Sequence, residues 1–181
     1  MRRFAQISVF GVLLISIISG CNGGKADGLG KDDLCVVKVA DKNIKVCYGD
    51  TRETAEKVLG SGTKQQFGTE YDNGITIMYR GDVVAGITMD EDAKGSFRTS
   101  RGAEIGMTKD AVMELYGKKG IENSGNTLDY NYDTGAKRFL DVESLSNYKV
   151  DESVYVVSIT YGDDGVERIM LLDRKMAITL S

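Results

Sequence analysis

The chain contains no histidine, no proline and no tryptophan, and only three cysteines. The missing histidine excludes Ser-His-Asp and Cys-His nucleophile systems and removes the commonest zinc ligand. Without proline, turns fall to glycine, asparagine and aspartate. Positive charge is scarce too. The 23 Lys and Arg are outnumbered by 27 Asp and Glu, and no segment is basic enough to point to nucleic acid. The same acidic balance argues against charge-driven binding to anionic lipid. Long apolar runs are missing except for one at 7–18, interrupted only by Ser8, Gly11 and Ser16. That run is too short to span a bilayer, which takes roughly 20 such residues.

What the N-terminus does hold is Arg2 and Arg3, the apolar run, and then Ile18-Ser19-Gly20-Cys21. A basic start, a short apolar core and small residues before a break describe a secretory signal. The plain reading is a signal peptide with an incidental cysteine. Ile-Ser-Gly-Cys, however, resembles the lipobox of bacterial lipoproteins. The resemblance implies that residues 1–20 are removed and that Cys21 takes a diacylglyceryl group and becomes the mature N-terminus. Two acyl chains anchor stably, because each buried methylene contributes about 0.8 kcal/mol and a single chain binds only marginally. It further implies a cell-membrane protein on the extracytoplasmic face, with Asn22 permitting outer-membrane sorting in a two-membrane host. Cleavage removes two basic residues and no acidic one, moving the net charge from −4 to −6.

Residues 21–33 are Gly-rich and charged, and read as a flexible tether of roughly 20 Å mean span. After lipidation the remaining cysteines are Cys35 and Cys47. They sit on two β-like segments flanking Ala40-Asp41-Lys42, equally spaced from Asp41, so they are expected to oppose each other in a hairpin. An even pair outside the cytoplasm points to a disulfide. A redox-active pair is the alternative, but Cys-x-x-Cys spacing is not there.

The rest of the sequence repeats itself. The segment from Gly49 to Gly60 aligns without gaps with that from Gly106 to Gly117 at an offset of 57. Thr51 and Thr108 are N-cap candidates, Glu53 and Asp110 favour the positive end of a helix, and Gly60 and Gly117 suit the C-cap. Ala55, Val58 and Leu59 form one apolar stripe, and Ala111, Val112, Leu115 and Tyr116 another. A second match, Ile75-Thr76-Ile77-Met78-Tyr79 with Val157-Ser158-Ile159-Thr160-Tyr161, has an offset of 82 and continues through Val84, Ile87 and Met89 against Val166, Ile169 and Leu171. Strands are expected over 75–79, 83–89, 128–132, 154–161 and 166–172, with turns at Arg80-Gly81-Asp82 and at Gly162-Asp163-Asp164-Gly165. Residues 133–153 read as an insertion with one helical turn near 142–145, and the acidic stretch 90–95 as a connector. The expected class is α+β, with two tandem repeats, each a short amphipathic helix on an antiparallel sheet, plus the N-terminal hairpin. The repeats are placed at 34–92 and 93–181.

The motif Gly106-x-Thr108-x-x-x-Val112-x-x-x-x-Gly117, with Met107 and Lys109 inside it, resembles the repeat of the SmpA/OmlA-type lipoproteins of outer-membrane assembly. It is also similar to the tandem repeats of β-lactamase inhibitory protein. The copy at 49–60 departs from the pattern at Asp50 and Ala55. The resemblance implies protein-binding modules without catalytic role or cofactor. The leading expectation is therefore a non-enzymatic envelope protein that binds another protein. The alternatives are a small-ligand-binding lipoprotein and a hydrolase using carboxylates alone. Tyr130, Tyr132, Tyr155 and Tyr161 are the candidate binding residues, since tyrosine offers area and a polar tip at little entropy cost. Core packing is the competing role, and general burial tendencies favour it. Asp90-Glu91-Asp92 lacks the alternating ligands of a calcium loop, and turn chemistry accounts for Asp163-Asp164-Gly165. No metal site and no catalytic residue is assigned.

Overall fold

A computed structural model of the chain describes residues 28–123 and 125–180. The signal segment and Cys21 lie outside the described residues. The two helices of the repeated motif form with the caps expected of them. α1 (Arg52–Leu59) begins at Thr51, whose hydroxyl accepts from the Thr54 amide at 3.2 Å, and ends at Gly60 with φ 85°. α2 (Lys109–Tyr116) begins at Thr108, which accepts from Ala111, and ends at Gly117 with φ 84°. Each terminal glycine adopts a left-handed conformation that a side chain would strain.

Two antiparallel sheets carry these helices. In the smaller one, β1 (Cys35–Lys38) lies between β2 (Asp41–Cys47) and β7 (Phe97–Thr99). Cys35 and Cys47 are direct partners and are joined by a disulfide. The register follows the expected symmetry about Asp41 only as far as Val37. A shift before Lys38 then tightens the turn to Val39 and Ala40. β7 was not anticipated. It pairs Val36 with Thr99 and so ties the hairpin to the segment leading into α2. The expected connector contains a helical turn, Glu91–Ala93, capped by Asp90.

The larger sheet has nine strands: β3 (Thr63–Gln65), β4 (Gly68–Tyr71), β5 (Ile75–Arg80), β6 (Val83–Met89), β8 (Ile121–Asn123), β9 (Thr127–Asp133), β10 (Arg138–Phe139), β11 (Val154–Gly162) and β12 (Gly165–Asp173). Its order is β10-β9-β11-β12-β6-β5-β4-β3, with β8 also pairing on β9. The chain is therefore α+β, and its first half (α1 with β3 to β6) meets its second (α2 with β8 to β12) where β6 pairs with β12. β3, β4, β8 and β10 were not expected. They are two to four residues long, too short for alternation to stand out.

Alternation along the central strands puts Ile75, Ile77, Ile87, Met89, Val157, Ile159, Ile169 and Leu171 on one face. There they pack with Ala55, Val112 and Tyr116 of the helices and with Leu34, Val36 and Val46 of the small sheet. Burial of such side chains contributes on the order of 2 kcal/mol each. The opposite face carries Met78, Val156 and Leu172, also buried. Gly86 makes room there, because a Cβ would lie 2.7 Å from Met78 Cε and 3.2 Å from Leu172 Cβ. The insertion supplies α3 (Val142–Ser146), near the one helical turn expected, and α4 (Arg174–Thr179) follows β12.

Only part of the expected tether lies among the described residues, and that part is packed. Leu29 is buried, and Lys31–Asp33 forms a helical turn. Arg101 donates to both carboxylate oxygens of Asp33 at 2.9 Å and also to the Gly28 carbonyl. Its guanidinium lies 5.2 Å from the Tyr116 ring centroid, with the side chain only 3% exposed. An apolar Leu29 and a paired Asp33 give the segment reasons to dock that glycine content alone does not reveal. No helix of the described residues is long and apolar enough to cross a membrane.

Replacing both Cys35 and Cys47 by alanine should lower unfolding stability by about 2–3 kcal/mol through the lost restraint on the unfolded chain. The check is a urea titration of the oxidised parent and the double variant.

Candidate functional site

The four tyrosines proposed for binding do not form a surface. Tyr130 is 0% exposed and Tyr132 9%. Tyr130 donates its hydroxyl to the Gly117 carbonyl at 2.8 Å, and its ring lies 5.4 Å from that of Tyr116. Tyr155 shares the inward face of β11 with Val157 and Ile159 and tilts against Tyr48 at 5.5 Å. The face read as Tyr-bearing is the core face, where Tyr130 and Tyr132 are buried and Tyr155 is half-buried. Tyr161, at the far end of β11, is the exception.

Tyr161 lines an open cleft of about 610 Å³ between the start of α2, the β8–β9 hairpin and the β11–β12 turn. Leu128, almost fully buried, adds an apolar floor. Lys109 and Glu122 form one wall and are joined by an ion pair of 2.6 Å. Asp163 and Asp164 form the rim at the turn, and neither makes an ion pair or side-chain hydrogen bond among the described residues. The Tyr161 hydroxyl is buried without a hydrogen-bond partner. Burial, and then the nearby Tyr130, hold it well above the ordinary tyrosine range. With Lys109 neutralised by Glu122, the cleft presents an aromatic and aliphatic floor under a net negative rim.

A second cleft, of about 490 Å³, lies against α1 and β3 to β5, with Arg52, Phe67, Tyr79 and Met176 among its lining residues. It is occupied differently. The Arg52 guanidinium stacks 3.7 Å from the Tyr79 ring centroid. Arg52 also pairs with Asp82 at 3.3 Å and donates to the Thr69 hydroxyl at 3.4 Å. Tyr79 and Tyr71 share a hydroxyl hydrogen bond of 2.7 Å.

No family model, no curated protein and no solved structure matches this chain. The resemblance carried by Gly106, Thr108, Val112 and Gly117 rests on those residues themselves.

A buried polar constellation surrounds Asp173, which is 0% exposed. Its Oδ1 accepts from Arg80 Nη2 at 2.9 Å and from the Met176 amide at 2.8 Å. Its Oδ2 accepts from the Tyr48 hydroxyl at 2.7 Å. Glu152 completes the group by pairing with Arg80 at 3.1 Å and Lys175 at 3.0 Å. These bonds join the hairpin, β5, β12, the insertion and α4. The donors surrounding this carboxylate are all structural, so it acts as a fastener.

Three carboxylic acids have shifts, all downward. Glu53 is held down by Lys57, Asp141 by the Ser144 amide it caps, and Asp151 to about 2 by the Ser153 hydroxyl and then Lys149. Such groups are ionised at neutral pH and do not donate protons there. Among the described residues no group of three or more His, Cys, Asp or Glu is placed to hold a metal ion. Sequence reading had Asp163 and Asp164 in view but explained them by the turn. Lys109 and Leu128 stood in the sequence only as motif and strand residues and Glu122 gave no signal, because only the fold brings them beside Tyr161.

Asp173→Asn should cost about 3 kcal/mol, since it leaves the Arg80 charge without its buried partner, whereas Asp163→Asn should stay within about 0.5 kcal/mol. Denaturant unfolding of both variants tests this contrast. Tyr161 has its folded pKa raised, so it adds to alkaline instability. Stability is full below the unfolded tyrosine pKa of about 10 and falls as pH rises beyond it. Tyr161→Phe should leave neutral stability nearly unchanged and make the alkaline loss shallower, as read by unfolding at stepped pH.

Proposed function

We propose that this chain is an extracytoplasmic lipoprotein, held to a membrane through Cys21, whose folded part is a non-enzymatic protein-binding module built from two copies of one α/β unit. The Ile18-Ser19-Gly20-Cys21 segment supports the anchor. A disulfide between Cys35 and Cys47 agrees with life outside the reducing cytoplasm.

The backbone supports the two-copy reading. Gly49 donates to the Val84 carbonyl and Val84 to the Asp50 carbonyl, both at 2.8 Å. In the second half Gly106 donates to Val166 at 2.7 Å and Val166 to Met107 at 2.9 Å. These are the same two bonds at the offsets of 57 and 82 found by aligning the sequence. The central pairing also exchanges with itself. Ile169 opposes Met89 and Leu171 opposes Ile87, while Thr88 opposes its own counterpart Met170. A two-fold relation between the halves has this consequence.

The cleft beside Tyr161 carries the binding reading. It joins an apolar floor to a polar rim whose two aspartates are unpaired, the arrangement of a binding patch with an anchoring centre. Phe67, 59% exposed at the tip of the β3–β4 hairpin, is a further surface anchor. A small-ligand site is the second reading, favoured by the cleft volume of about 610 Å³, which falls in the range of small-molecule sites.

In the full chain, Cys21→Ser should abolish both the added acyl mass and membrane partitioning. A photo-crosslinking side chain at Asn126, on the rim of the cleft, should give a discrete protein adduct in intact cells, and one at Lys137 should not. An unmodified mature mass would falsify the anchor. Equal labelling from both positions would remove the cleft as the binding site.

A further inference from the structure

The two clefts become informative when compared residue by residue. Tyr79 and Tyr161 hold the same place at the offset of 82, as do Asp82 and Asp164, and Arg52 and Lys109 correspond at the offset of 57. Strand register supplies two more correspondences. Lys64 opposes Thr69 across β3 and β4, as Glu122 opposes Leu128 across β8 and β9. Thr69 and Leu128 in turn oppose Ile77 and Ile159, themselves equivalent.

In the first half the cation at the helix start is an arginine in a cleft that also holds Lys64, and it lies on the ring of Tyr79 and pairs with Asp82 and Glu56. In the second half the lysine is replaced by Glu122, which draws Lys109 into an ion pair at 2.6 Å. The ring of Tyr161 and the carboxylate of Asp164 then face the cleft with no cation between them. Its hydroxyl also lacks the bond that Tyr79 makes with Tyr71, because Tyr130, in the place of Tyr71, bonds to Gly117 instead.

We propose that the cleft beside Tyr161 receives an arginine side chain of the partner protein, stacked on Tyr161 and paired with Asp164 as Arg52 is on Tyr79 and Asp82. This deepens, and rests on, the reading of the chain as a protein-binding module. Arginine fits better than lysine, since a planar, weakly hydrated guanidinium stacks on an aromatic face while offering forked donors to a carboxylate. The methylene stem has Leu128 to lie against. A positive group near the start of α2 is opposed by the helix dipole. Arg52 occupies that same position on α1, where the ring, Asp82, Glu56 at 3.9 Å and the Thr69 hydroxyl together outweigh the opposition, and of these the second half keeps the ring and the aspartate. Asp163 adds a second negative charge that the first half, with Gly81 at that position, lacks.

The test titrates the full chain with N-acetyl-arginine-N-methylamide, following the Tyr161 ring and the backbone amides of Asp163, Asp164 and Gly165 by NMR. The citrulline and lysine analogues serve as controls. Arginine should bind about 10-fold more tightly than citrulline, which has similar shape and no charge. Asp164→Asn, on the turn, should weaken binding by about 3–10-fold without loss of fold. The double variant Lys109→Arg, Glu122→Lys frees an arginine at the helix start to stack on Tyr161 and pair with Asp164, and should close the cleft to the ligand. The proposal is overturned if the capped arginine moves none of these resonances. It is equally overturned if citrulline binds as well, or if the double variant still binds. The Asn126 crosslink separates the two readings. An adduct that forms equally with the double variant leaves the module intact and overturns the arginine. Binding of capped arginine with no protein adduct overturns the protein source and assigns the guanidinium to a small ligand.

Discussion

Four residue pairs between β6 and β12, from Ile169 with Met89 to Leu172 with Gly86, join the two halves into one sheet. Each of these strands already pairs on its other side, β6 with β5 and β12 with β11. The seam is therefore internal, and its inward side chains lie in the middle of the core. Met89, Ile87, Ile169 and Leu171 are all fully buried. A sheet of this width twists, and its inner face needs cover along its length. Two short helices do not provide it alone. The disulfide-linked hairpin fills the remaining part, with Leu34, Val36 and Val46 in the same core.

Placement of the hairpin explains two features that would otherwise be unrelated. β7, three residues long, gives β1 a second neighbour and carries the chain back toward α2. Arg101, just after β7, reaches Asp33 and the backbone before it. The N-terminal segment is thus clamped to the start of the second half. If Cys21 carries lipid, only the stretch between residues 21 and 28 separates the anchor from a docked backbone, and fully extended it spans at most about 25 Å. A short leash of this kind holds the module near the membrane, whereas the longer flexible tether read from composition sets it free.

On the proposed two-copy reading, the clefts occupy equivalent places and differ in the charges that line them. Lys64 and Glu122 stand at matching register positions. Lys64 offers Arg52 no ion pair, whereas Glu122 captures Lys109 at 2.6 Å. The main chain differs there as well, since Arg52 donates its amide to the Asp82 carbonyl at 2.8 Å and no such bond joins Lys109 to Asp164 among the described residues. On the proposed reading, duplication supplied two equivalent sites and one was left open to a partner.

Local rules were legible from the residues alone. Threonine caps, glycine ends and apolar stripes located α1 and α2 because helix signals lie within a single turn of the chain. Long alternating runs located β5, β6, β9, β11 and β12, and equal spacing located the opposed cysteines, because these patterns are complete within their own segments. β3, β4, β7, β8 and β10 were not legible, since a strand of two to four residues is defined by its neighbours across the sheet. The burial of Tyr130 and Tyr132 was hidden for a related reason. Alternation told which of them share a face, but which face is inward depends on where the helices and hairpin settle. The same holds for the cleft. Residue order determined that Tyr161, Asp164, Lys109 and Glu122 exist and what each can do. Only the tertiary structure decided that they meet, because they come from four separate elements whose proximity is paid for by the core beneath them.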